Sequence, residues 1–327
     1  MTPLVAAAVL IAAVTHASWN AIAHGIRDQL LAFTLVGGGG MLGGLALLPF
    51  APAPAADAWP YLLASAAVHV VYQLLLMRSF HLGDFGQMYP IARGTAPLVV
   101  TVAAAVFVGE RPDRWQAAGI ALASAGLVGV ALWGIRGSLR PATGESGGGD
   151  GNGGRGGNGE SGREGGGGGN GESGREGGGS GNGGGPQWLA LMAAVATGLS
   201  IASYTVVDGL GVRSSGSPLG YIAWLMILEG LAIPACALAV RRGALLGQLR
   251  PVAARGLLGG LLSVLAYGLV LWAQTRAELA PIAALRESSI IVGAAIGALF
   301  FKEGFGAPRI AAAGLMVAGI GLMLHAG

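Results

Sequence analysis

The chain has 327 residues, 53% hydrophobic and only 11% charged, with a net charge of +3. Soluble domains carry about 25% charged residues, so this composition excludes a soluble enzyme with a membrane-anchored tail, and equally a nucleic-acid binder. The slight basic excess needs no acidic partner, because arginine in short loops is what membrane insertion selects. A single cysteine, Cys236, precludes an internal disulfide or a thiolate metal cluster. A polytopic membrane protein remains.

A helical span needs about 20 mostly apolar residues. Ten such runs occur in order, at roughly 3–24, 30–50, 60–79, 86–108, 115–135, 187–209, 218–240, 256–275, 280–301 and 308–325. They are continuously apolar rather than alternating, which predicts helices and not a β-barrel. The first run lacks a basic start and continues into His16-Ala17-Ser18-Trp19-Asn20, so it reads as a retained helix and not a cleaved signal. Between the fifth and sixth runs lies a glycine-rich segment, 137–186, with 26 glycines in 50 positions and a near-perfect tandem copy starting at Gly157 and Gly169. Such a sequence cannot bury a core and is expected to be a disordered linker.

The flanking segments, 1–136 and 187–327, look like copies. Ala17-Ser18-Trp19-Asn20 faces Ala202-Ser203-Tyr204-Thr205, and at one common offset Arg93 faces Arg286 and Glu110 faces Glu303. Five spans per copy is an odd number, so the second copy must enter the membrane from the opposite side. The expected fold is therefore all-α, with ten transmembrane helices as two inverted five-helix repeats. In that arrangement substrate sites form near the midplane, between the repeats.

The sequence resembles the EamA family of the drug/metabolite transporter superfamily. The resemblance is carried by His16-Ala-Ser-Trp19-Asn20, by Gly83-Asp84-Phe-Gly-Gln-Met-Tyr89-Pro90-Ile-Ala-Arg93-Gly94, by Gly109-Glu110, and by Ala280-Pro281-Ile-Ala-Ala-Leu-Arg286-Glu287-Ser288. It implies a ten-helix permease or exporter of small metabolites with a central cavity. The long glycine linker departs from the family pattern, which has a short junction there.

Five charged residues fall within or at the edge of the apolar runs: Arg93, Asp208, Glu229, Arg286 and Glu287. A charge at a helix centre costs about 2.5–3.5 kcal/mol on insertion scales, so each should face protein or water with a partner. Arg93 shares a helical face with Pro90, Gly94, Pro97 and Thr101, and Tyr89 sits one turn before it. That face suits an anionic group held by a guanidinium; the alternative is an ion pair of Arg93 or Arg286 with Glu229. Arg286 and Glu287 are neighbours, about 100° apart on a helix, so they are not expected to face one spot. Glu229 is the leading candidate to carry a coupling proton, with Glu287 and Asp208 behind it. Asp208 lies near the expected end of its helix, where solvation is an alternative.

His16, Trp19 and Asn20 form one polar-aromatic face, with Tyr204 at the matching place in the second copy. Substrate contact and simple interhelical bonding both fit. Glycines 37–40, 43 and 44 make the second helix thin, which suits close packing better than a gating hinge. His24, His69, His81 and His325 are scattered, with no metal-binding spacing, and no phosphate-binding loop occurs. No cofactor or metal is expected.

Arginine and lysine are commoner in loops after odd-numbered spans, which favours both termini outside; the resemblance implies the opposite. The expected function is a secondary transporter, exporting or exchanging a small polar metabolite, proton-coupled, in the bacterial cytoplasmic membrane. Its expected partners are that solute and the lipid bilayer, without nucleic acid, as a monomer or homodimer. A lipid flippase or scramblase of the same fold is the alternative, and a lateral polar groove open to lipid would favour it.

Overall fold

The computed structural model describes residues 1–82, 93, 96–138, 187–300 and 307–325. Most of the glycine-rich segment, together with Tyr89, Pro90 and Glu303, lies outside the described residues. Every described element is helical. In the first half these are α1 (Pro3–His24), α2 (Gln29–Leu47), α3 (Trp59–Leu82), α4 (Ala96–Val108) and α5 (Arg114–Ser138). The second half has α6 (Gln187–Ser214), α7 (Pro218–Arg241), the short α8 (Leu245–Leu249), α9 (Ala253–Gln274), α10 (Leu279–Arg286), α11 (Ser289–Phe300) and α12 (Ala307–His325). Among the described residues, five helical stretches are long and apolar enough to cross a membrane, the last of them, Pro218–Gln274, containing both α7 and α9.

Local chemistry fixes where several helices begin. Thr2 caps α1 by accepting from the Val5 amide, and Pro3 follows in the first turn, where a missing N–H costs nothing. Asp28 caps α2 through the Leu31 amide, and Ser217 with Pro218 does the same for α7. At α5 the Asp113 carboxylate accepts from the Trp115 and Gln116 amides, while the Gln116 side chain accepts from the Asp113 amide. This reciprocal capping box starts the helix sharply. Helix α4 ends in a π-helical turn, Ala104–Val108, closed by Gly109 at φ 78°, a conformation that suits a residue without a Cβ.

Packing runs across the two halves. Helix α1 lies along α9, α3 along α6 and α7, α2 along both α7 and α9, and α5 along α12. The glycines of α2 make these contacts possible. A Cβ on Gly44 would stand 2.6 Å from the Ala223 carbonyl of α7, and one on Gly39 would stand 3.1 Å from Cα of Gly260 on α9. Pro234 interrupts α7 and cannot bond the Gly230 carbonyl one turn back; that carbonyl rests against Gly37 of α2. The glycine run thus serves close packing, and small residues allow this wherever apolar helices have no hydrophobic force to hold them together. On the outside, Leu4, Val106, Phe107, Val240 and Leu246 are exposed, an apolar surface a lipid environment accepts.

Opposite ends of the bundle are tied differently. At one end Arg213 of α6 donates to Glu110 at 2.6 Å and to the carbonyls of Gln274 and Ala277, while Glu110 also accepts from the Leu279 amide that starts α10. The neighbouring Glu278 has its carboxyl raised above the ordinary range, first by burial and then by Glu110 and Asp113. At the other end Arg241 of α7 donates to the capping carboxylate of Asp28 at 2.6 Å and weakly to Gln248.

Candidate functional site

The ninth apolar run is not one helix. It stops at Arg286, turns through Glu287 and Ser288, and resumes at Ser289. Ile290 donates to Glu287 and Ile291 to Ser288, three residues back rather than four, which tightens the backbone locally. That tightening overturns the expectation that Arg286 and Glu287 face apart. Both are buried, and Arg286 Nε lies 4.0 Å from Glu287 Oε1.

Arg93 reaches this break from the first half. It is 1% exposed; its Nε donates to Glu287 Oε2 at 2.7 Å and an Nη to the Ser289 hydroxyl at 3.0 Å. Its other Nη is 3.3 Å from His16 Nε2. The opposite ring nitrogen of His16 accepts from Trp19 Nε1 at 3.2 Å. Guanidinium and indole are both donors only, whereas a neutral imidazole has one acceptor, so His16 can satisfy only one of them at a time. Trp19 itself is buried between α1 and α2 with Ala23, Ala32 and Val36. Asn20 donates to the His16 carbonyl of its own helix. Of that predicted face, then, His16 alone joins the arginine cluster.

Arg286 differs from Arg93. It is buried, its Nε has no hydrogen-bond partner, and it makes no hydrogen bond among the described residues. Its guanidinium lies 5.8 Å from the ring centre of Tyr204. Tyr204 stacks on His69 at 4.0 Å and meets Tyr72 and Tyr267 edge-on. The Ser288 hydroxyl beside Arg286 is likewise buried without a partner.

Glu229 pairs with His69 rather than with an arginine: Oε2 lies 3.5 Å from Nε2, too long for a hydrogen bond. The far ring nitrogen of His69 is 3.0 Å from the Ser65 carbonyl and 3.1 Å from its hydroxyl. Asp208 is not solvated. Helix α6 runs on to Ser214, which leaves this carboxylate fully buried. It accepts from Tyr221 at 2.9 Å and from Tyr267.

The second-half candidates Arg286, Glu287, Tyr204, Asp208 and Glu229 thus meet Arg93 and His16 in one buried run of polar contacts. Sequence reading missed His69, Tyr267 and Ser65. The signal for His69 was present: a titratable residue inside an apolar run, with Ser65 one turn before it and Tyr72 three residues after.

The sequence profile of the EamA-like transporter family matches residues 4–132 and, a second time, residues 188–325. The chain belongs to the EamA-like transporter family. It is therefore an integral membrane protein, and EamA proteins are transporters of the drug/metabolite superfamily, not enzymes. The two EamA matches cover both helical halves and leave out the glycine-rich segment. Among the solved structures that resemble this EamA chain, one crystal structure is 15% identical with a TM-score of 0.64, over 98% of this chain and 99% of its own. That likeness concerns the fold. No curated protein matches.

Proposed function

We propose that this EamA protein is a secondary transporter that moves a small polar metabolite carrying an anionic or zwitterionic group. The path is a central cavity between two inverted five-helix repeats, 1–136 and 187–327, joined by the 137–186 linker in a bacterial cytoplasmic membrane. Contacts between helices support the two-fold repeat, and the odd number of spans expected in each half carries its inversion. Exchanging the halves turns the α1–α9 pair into α6–α3 and α2–α9 into α7–α3, and both members of each exchange occur.

The observation that carries the substrate reading is Arg286. Its ion-pair contact among the described residues is the long one to Glu287, whose carboxylate already accepts from Arg93, and a buried charge without hydrogen bonds loses several kcal/mol of solvation. A buried guanidinium with an unused Nε, at a broken helix, beside an unpartnered Ser288 hydroxyl, suits a carboxylate or phosphate fork. Tyr204, Tyr72 and Tyr267 supply an aromatic wall next to it. The groove on α4 lends the lipid-handling alternative nothing: it is lined by Leu98, Val99, Val102, Ala103, Val106 and Phe107, with no polar side chain for a headgroup.

The test is flux. The purified full chain in lipid vesicles, offered labelled amino acids, small carboxylic acids and sugar phosphates, should move at least one of them faster than empty vesicles. Arg286→Gln should slow that solute at least tenfold. Background rates for every solute would overturn the reading.

A further inference from the structure

We propose that His69 and Glu229 together hold the proton that drives this transporter, as a single site shared between an imidazole and a carboxyl. The proposal rests on the transport reading above and names the coupling group within it. Three carboxylates lie in the cluster, Asp208 and Glu287 buried and Glu229 partly so, and the geometry separates them. Glu287 is held by Arg93 at 2.7 Å, so an arginine that keeps its charge balances it permanently. Asp208 accepts hydroxyl protons on both oxygens, from Tyr221 and Tyr267, an arrangement that serves a carboxylate acting only as acceptor. Glu287 and Glu229 each keep one buried oxygen without a hydrogen bond, but the Glu287 oxygen lies 4.0 Å from Arg286, whereas the Glu229 oxygen faces a histidine.

The tautomer sets the chemistry. The Ser65 carbonyl can only accept, so in its 3.0 Å contact the Nδ1 of His69 carries the hydrogen. A neutral ring in that tautomer turns the Nε2 lone pair toward Glu229 Oε2. Two lone pairs repel, so the contact becomes attractive only when one proton lies between them, on either atom. That proton is added to the pair from water and returned to water; nothing else changes.

The pair joins α3, which carries His69, to α7, which carries Glu229, and the groups around it come from three further helices. Tyr204 and Asp208 are on α6, Tyr267 on α9, and Arg286 on α10, its charge reaching His69 past Tyr204. Arg93 with Glu287 sums to zero, and Arg286 balances Asp208. With Glu229 ionised and His69 neutral, the cluster carries one net negative charge; with the shared proton it carries none. An anionic group arriving at Arg286 restores the negative charge and so favours the protonated pair. Anion and proton bind cooperatively, and the coupling passes through Tyr204, which touches both sites.

The test uses full-length protein in vesicles of phosphatidylethanolamine and phosphatidylglycerol, with labelled amino acids and small carboxylic acids as probes. With the outside acidic, the wild type should concentrate whichever probe it moves. In both Glu229→Gln and His69→Gln, the ratio of concentrative uptake to equal-pH exchange of that probe should fall at least tenfold. Glu287→Gln serves as the control for simple loss of a buried carboxylate: any fall in its transport should leave that ratio in place. A wild type that exchanges a probe but ignores the pH gradient would sink the coupling pair and leave the transport reading standing. Variants that keep concentrating the probe would sink the pair as well. A wild type that moves no probe would remove the transport reading, and this proposal with it.

Discussion

Arg93 and Arg286 occupy matching places in the two halves, and their surroundings are opposite. Arg93 spends its donors on Glu287 and Ser289 from the other half, with His16 close by. Arg286 sits one residue from that same Glu287 and makes no hydrogen bond among the described residues. Two copies of one motif thus make different contacts. One arginine fastens the halves together, and the other keeps its fork available. The difference arises at the backbone: the turn at Glu287 and Ser288 lets one carboxylate oxygen bond the first half's arginine at 2.7 Å and leaves the other 4.0 Å from Arg286, beyond hydrogen-bond reach.

That division predicts different failures. Arg93→Ala should have the largest effect on stability, about 3–5 kcal/mol, because it strands a buried carboxylate. A thermal midpoint in detergent would show it, and adding Glu287→Met to an Arg93→Met background should recover most of the loss. If Arg93→Ala melted like wild type, the fastening role would be wrong. Arg286→Gln should do the reverse, cutting flux at least tenfold with a thermal midpoint unchanged or raised; Arg286→Lys should not rescue it, since an ammonium lacks the planar fork.

More exposed pairs extend the comparison downward. Arg213→Ala should cost about 1–2 kcal/mol, because its bonds to Glu110 and two carbonyls are charge-assisted yet partly wetted. Arg241→Ala, whose pair with Asp28 is about one-third exposed on each side, should cost under about 1 kcal/mol and should matter less as salt rises. The smallest effect belongs to Glu278. Its raised carboxyl favours the protonated form in the folded chain, so stability should fall as pH climbs from the ordinary carboxyl range through the raised value. Glu278→Gln should flatten that slope, as followed by thermal midpoints across acidic to neutral pH.

Much of this was readable in the sequence. The apolar runs gave the helices, because lipid leaves the backbone few other choices. The intramembrane charges pointed to side chains that meet one another inside the bundle, because each must find a place among protein. What stayed hidden was pairing. Nothing along a single chain says that Arg93 meets Glu287 while Glu229 meets His69, since these contacts depend on how two halves register in space. Asp208 looked like a helix end because the apolar pattern fades before the helix does. The break after Arg286 carries no proline or glycine at the turn itself, so no local signal announces it. His69 was overlooked for another reason: a neutral histidine escapes a census of formal charge.

The contacts of Arg213 give the bundle an uneven rim. One guanidinium joins the ends of α4, α6 and α9, and the carboxylate it holds also caps the start of α10. These strands of contact cannot be undone singly, since a motion that draws α10 away from α6 must part them in the same movement. Among the described residues, the far rim is joined by Asp28 and Arg241, by a weak bond from Arg241 to Gln248, and by an apolar contact of Leu31, Ala237 and Leu245. Among the described residues, then, one rim is a hasp of linked charge-assisted bonds and the other a single ion pair over apolar packing.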